Sequence, residues 1–319
     1  MEFFAAPLEG ITLCEYRKLH SRMFPGADAY YTPFIAPDTK GNFREKYLRE
    51  LLPDNNEGIK LIPQLLVNAP EPFRITAEKL GDLGYDEVNL NTGCPSGTVF
   101  SKHKGAGMLA DLKSLDVFLS EVFSRCELKV SVKTRLGLES TAEFPAILEV
   151  YNKYPISELI IHARDRAGMY RSAPDLEAFA AAFPASRAPV TYNGSVVDRA
   201  SLESVLSFAP GLERVMLGRG AVTDPALFRV LRGGEALRLE ELRMFHSRLE
   251  RAFLEAGLGE HYTISRLKEV WYYVIDKFPE AGRLHKAINK ARCLADYDAA
   301  VSALFSSGLY EASAAFRGR

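Results

Sequence analysis

The sequence predicts an α/β protein, a (β/α)8 TIM barrel with a C-terminal all-helical bundle domain, and three observations carry that prediction. Short runs rich in Val, Ile, Leu and Tyr recur with starts 24 to 42 residues apart, which leaves room for one helix per gap. Strands alternating with helices imply parallel pairing through right-handed crossovers. After Gly233-Gly234 the strand pattern stops and only helix-period apolar spacing remains. The structural rival is an open doubly wound sheet, which should show a GxGxxG turn after its first strand; none is present.

In order, the expected strands are FFAAPL (3–8), AYYTPFI (29–35), LIPQLLV (61–67), EVNLNTG (87–93), KVSVKTRLG (129–137), ELIIHAR (158–164), PVTYNG (189–194) and ERVMLGRG (213–220). Helix-period stretches fill the gaps, for example 70–83, 115–125, 141–154 and 199–208. A closed barrel of this kind takes roughly 250 residues or slightly fewer, so residues 1–235 fit it and 236–319 form the appendage. There the helical pattern of 239–315 is broken near 257–259, 278–282 and 306–308, which predicts about four helices.

With 47% hydrophobic and 25% charged residues the composition is that of a globular chain, and disordered or collagen-like readings fall away. The formal charge of -1 argues against a protein that grips nucleic acid over its whole surface, but it hides an asymmetry. Residues 1–235 carry 27 basic and 30 acidic side chains, whereas 236–319 carry 13 and 11. The four cysteines (Cys14, Cys94, Cys126, Cys293) lie far apart with no CxxC pair, so neither a metal site nor a disulfide framework is expected. The N-terminal stretch lacks a secretory pattern and no window approaches ~18 apolar residues. The expectation is a cytoplasmic protein without a membrane partner.

In such a barrel the active site is built at the C-terminal strand ends. Those ends carry Pro7-Leu8, Gln64, Asn91 with Cys94, Lys133 and Arg135, His162 and Arg164, Asn193-Gly194, and Gly218-Arg219-Gly220. The last two segments follow strands seven and eight, the pair of loops that commonly binds a phosphate in this fold. Their glycines let backbone N–H groups approach oxygens, and Arg219 adds a permanent charge. Gln64, Lys133 and His162 converge over the mouth and suit the polar edge of a flat heteroaromatic ring such as a flavin. Plainer readings stand beside these: two glycine turns with a surface Arg, a buried Lys ion pair, a satisfied core His.

The stretches AAPLEGIT, LIPQLL, EVNLNTGCPSGTV, KGAGML, VSVKTRLGL, LIIHARDRAGMYRSAPD, TYNGSV and RVMLGRGA occur in this order, and with them the chain resembles the tRNA-dihydrouridine synthases over nearly its whole length. The resemblance implies FMN at the barrel mouth, NADPH as reductant, a transfer RNA substrate (ribosomal RNA stays open) and a monomer. It implies that Pro7 and Leu8 flank the flavin, where the family more often has Met at the second position. Gln64, Lys133 and His162 would contact the ring or ribityl chain, and Asn193, Gly194, Gly218 and Arg219 the phosphate. Asn91 would touch flavin or uracil, with Arg135 and Arg164 on the substrate side. The family usually shows DW after the HxR segment; here it is Asp175-Leu176, which touches local packing.

Cys94 would be the acid. Saturating the uracil C5–C6 bond needs a hydride at C6, from the reduced flavin N5, and a proton at C5. A thiol with pKa near ~8.5 is still protonated at neutral pH yet can release its proton, whereas a carboxylic acid would already be ionised. Residues 96–107, with three glycines, two lysines and a histidine, read as a lid over the flavin, and Lys102 as an RNA phosphate contact. In the appendage Arg283, Lys286 and Lys290 fall at i, i+3 and i+7 on one helix face, in a basic window (262–292) interleaved with aromatic residues. That stripe reads either as an RNA-docking surface or as a solvated face, and most of the aromatics as bundle core. Two rival functions stay open: a flavin barrel reducing a free small molecule, similar to dihydroorotate dehydrogenase or an ene-reductase, and a non-catalytic RNA-binding protein on a retired barrel.

Overall fold

The computed structural model describes residues 1–318. Strands β1 (Glu2–Ala5), β2 (Ala29–Tyr31), β3 (Leu61–Ile62), β4 (Gln64–Leu65), β5 (Glu87–Thr92), β6 (Lys129–Gly137), β7 (Leu159–Asp165), β8 (Val190–Asn193) and β9 (Arg214–Leu217) lie in one sheet, ordered β3-β2-β1-β9-β8-β7-β6-β5-β4, and every pair is parallel. The two ends of that order are one strand. β3 pairs with β2 and β4 with β5, and only Pro63 separates them; having no N–H, it cannot continue the ladder. Its carbonyl still accepts the Asn89 N–H at 2.8 Å. The sheet therefore closes as an eight-stranded barrel with one nick.

Ten helices lie on the barrel portion of the chain: α1 (Cys14–Met23), α2 (Glu45–Leu51), α3 (Pro70–Asp82), α4 (Gly97–Phe100), α5 (Leu112–Arg125), α6 (Phe144–Tyr151), α7 (Leu176–Ala185), α8 (Arg199–Phe208), α9 (Arg219–Thr223) and α10 (Leu227–Leu231). Three start on an aspartate: Asp111, Asp175 and Asp198 accept backbone N–H groups of the first turns of α5, α7 and α8. Each such cap contributes about 1 kcal/mol. Asp175 also accepts from Thr141 Oγ1 at 2.7 Å, and Leu176 packs on the barrel core, so the departure from DW leaves a working cap and an apolar contact.

Four further helices follow, α11 (Leu239–Glu255), α12 (Glu260–Val274), α13 (Gly282–Lys290) and α14 (Leu294–Phe305). Their core gathers Phe245, Phe253, Leu267, Trp271, Tyr297 and Phe305 together with Tyr16 of α1 and Phe24 just after it. A barrel helix is thus shared with the bundle. The main apolar layer lies between the strands and the barrel helices, and a smaller group (Phe4, Tyr31, Ile62, Ile160, Met216) lies on their other face. No helix among the described residues is long and apolar enough to cross a membrane.

All eight expected strands are present, but several stop earlier than their apolar runs. β1 ends at Ala5 rather than position 8, because Leu8 N–H turns back onto Thr12 Oγ1 at 2.9 Å. The expected helix over 141–154 is a 3-10 turn (Thr141–Glu143) followed by α6. The bundle holds four helices, though not as spaced: the chain breaks again at 291–293, and the described residues beyond α14 (306–318) are not helical. They return to the barrel instead.

Candidate active site

Side chains alternate along a strand, so positions two apart share a face. On β5 this gives Asn89 and Asn91; on β6, Ser131, Lys133 and Arg135; on β7, His162 and Arg164. A chain of amides fixes the first group. Asn91 Nδ2 donates to Gln64 Oε1 at 2.8 Å, Gln64 Nε2 to Asn89 Oδ1 at 2.9 Å, and Asn89 Nδ2 to Ser131 Oγ at 3.0 Å. Every member is buried and satisfied, which locks both Gln64 and Asn91 in one orientation.

The free Asn91 oxygen accepts the backbone N–H of Gly93 (3.0 Å) and of Cys94 (2.9 Å), so one side chain shapes the turn that carries the thiol. Arg135, 1% exposed, ties the same turn to the loop after β7: Nε donates to the Gly93 carbonyl at 2.8 Å, and Nη1 to the Asp165 and Met169 carbonyls at 2.9 and 3.1 Å. Gly105, at φ +57°, lies where any Cβ would come within 2.9 Å of Cys94 Cβ, so only glycine fits. Residues 105–109 are buried, and the segment expected as a lid forms α4 and a 3-10 turn, with Ala106 N–H bonded to the Cys94 carbonyl. Burial pushes the Cys94 thiol above its ordinary pKa, while a backbone bond from Ser96 and the charges of Arg135 and Lys133 oppose that. The resting group is the thiol, with two cations waiting to stabilise a thiolate.

Lys133 Nζ donates to Asn193 Oδ1 at 2.9 Å, and Asn193 Nδ2 to the Met216 carbonyl at 2.9 Å. Burial, and then Arg135, push the ammonium down to about 7. Arg164, 3% exposed, has all three guanidinium nitrogens engaged: Nε with the Ser172 carbonyl, Nη2 with Ser195 Oγ, and Nη1 with His162 Nε2 at 3.0 Å. A guanidinium only donates, so His162 Nε2 accepts and Nδ1 carries the hydrogen. Burial and the surrounding cations hold that imidazole well below its ordinary pKa, hence neutral. Arg164, expected at the substrate, instead orients His162, because its side chain is spent inside the protein.

These groups line two adjoining cavities. One is bounded by the loops at 193–197 and 218–220 with Arg219 and Phe316; the other by Gln64, Asn91, Cys94, Arg135, Glu9 and Phe34. Pro7, Leu8, Lys133, His162 and Tyr170 border both. The first lobe, with a guanidinium and glycine-bearing loop backbone, suits a phosphate dianion; the second, with Pro7 and Leu8 beside amide and amine donors, suits a flat ring with a polar edge. The donor set therefore fits FMN laid across both.

Of the expected residues, the structure brings together Pro7, Leu8, Gln64, Asn91, Cys94, Lys133, Arg135, His162, Asn193, Gly194, Gly218 and Arg219 at these cavities. Lys102 is exposed beyond the Cys94 turn. Arg283, Lys286 and Lys290 are exposed on α13, without a carboxylate partner among the described residues. The rest of the basic window is partly internal: Arg266 pairs with Glu269, Lys268 donates to the Ala291 carbonyl, and Lys277 is buried against Asp224. Trp271 and Phe278 are core, whereas Tyr272 is exposed. It borders a shallow groove with Lys268 and Asn289 that reaches Glu9, and so adjoins the Cys94 lobe.

Sequence reading missed Asn89 and Ser131, which the two-residue alternation with Asn91 and Lys133 could have revealed. It also missed Tyr170, whose ring lies 4.4 Å from Arg219 Cζ and 5.8 Å from the His162 ring, and Phe316, 4.7 Å from Arg219 Cζ. No local signal marks either.

Comparison with known proteins closes the question of kinship. The family model described as dihydrouridine synthase (Dus) matches residues 4–303. The chain is 29% identical over 248 residues to tRNA-dihydrouridine(16) synthase of Shigella flexneri (76% of this chain, 77% of that one), and 30% identical over 244 residues to that of Ralstonia nicotianae (73% of each). It is 27% identical to tRNA-dihydrouridine synthase B of Pseudomonas aeruginosa over 84% of this chain and 82% of the other. Among solved structures, histamine dehydrogenase from Rhizobium sp. 4-9 superposes with a TM-score of 0.56 at 12% identity (73% of this chain, 45% of that one), and morphinone reductase with 0.50 at 14% (74% and 87%), likenesses of the barrel fold alone. On a match that spans barrel and bundle alike, the chain belongs to the dihydrouridine synthase family.

Proposed function

We propose that this enzyme reduces specific uridines in transfer RNA to 5,6-dihydrouridine, with FMN across the two lobes and NADPH as the reductant. The observation that carries this reading is the Cys94 thiol, held on a braced turn at a cavity lined by the Gln64–Asn91 amide chain, the Lys133 amine and the His162 imidazole. Bound FMN, reduced by NADPH, supplies the hydride that uracil C6 accepts. Cys94 Sγ gives its proton to C5, and Arg135 and Lys133 lower the cost of the thiolate left behind. Gln64, Lys133 and His162 would hold the polar edge of the flavin, with Pro7 and Leu8 beside the ring. Asn193, Gly194, Gly218 and Arg219 would hold the phosphate end, and Asn193 also fixes Lys133 beside the ring. Asn91 sets the Cys94 turn, and Arg135 steadies it beside the uracil.

We assign residues 1–235 to catalysis and 236–319 to RNA docking. The exposed stripe of Arg283, Lys286 and Lys290, the Tyr272 groove that adjoins the Cys94 lobe, and Lys102 beyond the turn support a backbone path leading an extracted base to the thiol.

Purified protein should be yellow, oxidise NADPH and form dihydrouridine in RNA. Cys94→Ala should keep reduction of the bound flavin by NADPH and lower reduction of RNA by about 10²-fold or more. Unchanged RNA reduction would remove Cys94 as the acid. Equal turnover of free uridine without RNA would favour a small-molecule reductase, and a colourless preparation that still binds RNA would overturn the catalytic reading.

A further inference from the structure

After α14 the chain does not trail away from the molecule. Tyr310 hydroxyl donates to the Leu237 carbonyl, and Glu311 N–H to the Lys277 carbonyl at 2.9 Å. Lys277, 2% exposed, divides its ammonium between Asp224 Oδ2 on the barrel (2.6 Å) and the Ala312 carbonyl (2.7 Å). Arg317 N–H reaches Asp276 Oδ2 at 3.1 Å. Four attachments on eight residues of irregular backbone deliver the Phe316 ring to the wall of the first lobe. There it lies 4.7 Å from Arg219 Cζ and 5.8 Å from the Tyr273 ring of α12.

We infer that the strap 310–317 is part of the cofactor site, and that Phe316 is a positioning residue that holds the Arg219 guanidinium for the phosphate end of the cofactor and slows its escape. The inference rests on the proposed seating of FMN across the two lobes. A ring against the flat face of a guanidinium removes water from that face and fixes the plane in which its N–H groups donate, the plane through which a guanidinium bonds phosphate oxygens. Tyr170 offers a second ring to the same guanidinium at 4.4 Å. A cation restrained this way loses less rotamer freedom on binding and acts through a lower local dielectric. The strap is anchored chiefly on the 275–277 turn between α12 and α13, so the helical region contributes directly to retention of the cofactor in the barrel.

The test separates phosphate from ring. Apo-protein is titrated with FMN and with riboflavin, following the quenching of flavin fluorescence, and FMN release is timed after dilution. Phe316→Ala should raise the FMN Kd about fivefold and speed release, leaving the riboflavin Kd unchanged. Phe316→Leu, which keeps bulk without a π face, should fall between, and Phe316→Tyr should restore the wild-type value. On an Arg219→Ala background, Phe316→Ala should have no further effect. An unchanged FMN Kd in Phe316→Ala, or equal weakening of FMN and riboflavin, overturns the inference. Wild-type protein that binds no FMN overturns the cofactor reading and the inference with it; wild-type binding with an indifferent Phe316 overturns the inference alone.

Discussion

Buried cations occur in two settings in this molecule. Between α1 and α2, Arg17 is fully buried and neutralised by Glu50 at 2.9 Å, its two terminal nitrogens also donating to the Thr12 and Glu50 carbonyls and to Asn56 Oδ1; between barrel and bundle, Lys277 is neutralised by Asp224. At the mouth, Arg135 and Arg164 are buried and Lys133 is half-buried, yet none of the three has a carboxylate within ion-pair distance among the described residues. Their partners are carbonyls, an amide, a hydroxyl and an imidazole. Neutral partners satisfy geometry but leave the positive charge, which the protein tolerates only at a cost. The difference teaches where the chain keeps room for an anion: its own acids neutralise the framework cations, and the mouth keeps an uncompensated positive field, as the proposed phosphate, flavin ring and thiolate require.

The comparison breaks most visibly in the framework. Glu50→Ala leaves Arg17 buried without its counter-charge and should cost about 3 kcal/mol in denaturant unfolding. A loss below about 1 kcal/mol would mean that the carbonyl and amide partners alone suffice for a buried guanidinium. At the mouth the sign reverses. Lys133→Met removes a desolvated ammonium with no counter-charge, so the apo-protein should gain stability below pH about 7, where wild-type Lys133 must carry its charge in both the folded and the unfolded state. The same change should weaken FMN binding roughly thirtyfold, the worth of one charged hydrogen bond. Because Lys133 titrates at about 7, wild-type affinity for FMN should fall as pH rises above that value, and Lys133→Met should abolish the fall. A wild-type affinity that is flat with pH there, measured by titration of apo-protein, would count against an ammonium facing the flavin. The smallest expected effect lies on exposed cations, where solvent screens each charge. Replacing Arg283, Lys286 and Lys290 together by Gln should weaken RNA binding about tenfold in moderate salt and reduce the log–log salt slope by about 2 to 3. An unchanged slope would move the RNA footprint off α13.

Much of the fold was readable without coordinates because it rests on local signals. Eight apolar runs with turn residues between them mark the strands, and Asp198 with Ser201 marks the start of α8 as a reciprocal cap. The inner-face positions at strand ends brought forward Gln64, Asn91, Cys94, Lys133 and His162. What was not readable came from contacts between distant segments. Arg164 has the same HxR surroundings whether it faces a substrate or an imidazole, and only Ser172 and Ser195, brought in by separate loops, decide between them. Three of the seven basic residues in the 262–292 window are structural, because Arg266, Lys268 and Lys277 meet partners that sequence spacing does not reveal.

Strand period, helix period and the residue types at strand ends are short-range properties, and by themselves they determined the barrel, the helical appendage and the list of groups at the mouth. The tertiary structure alone decided which nitrogen of His162 carries the hydrogen, which cations keep an acid and which do not, and that a strap from beyond the last helix brings Phe316 to Arg219. These depend on distances between residues tens to hundreds of positions apart. Burial there sets the strength of each charge, and no local pattern of residues encodes it.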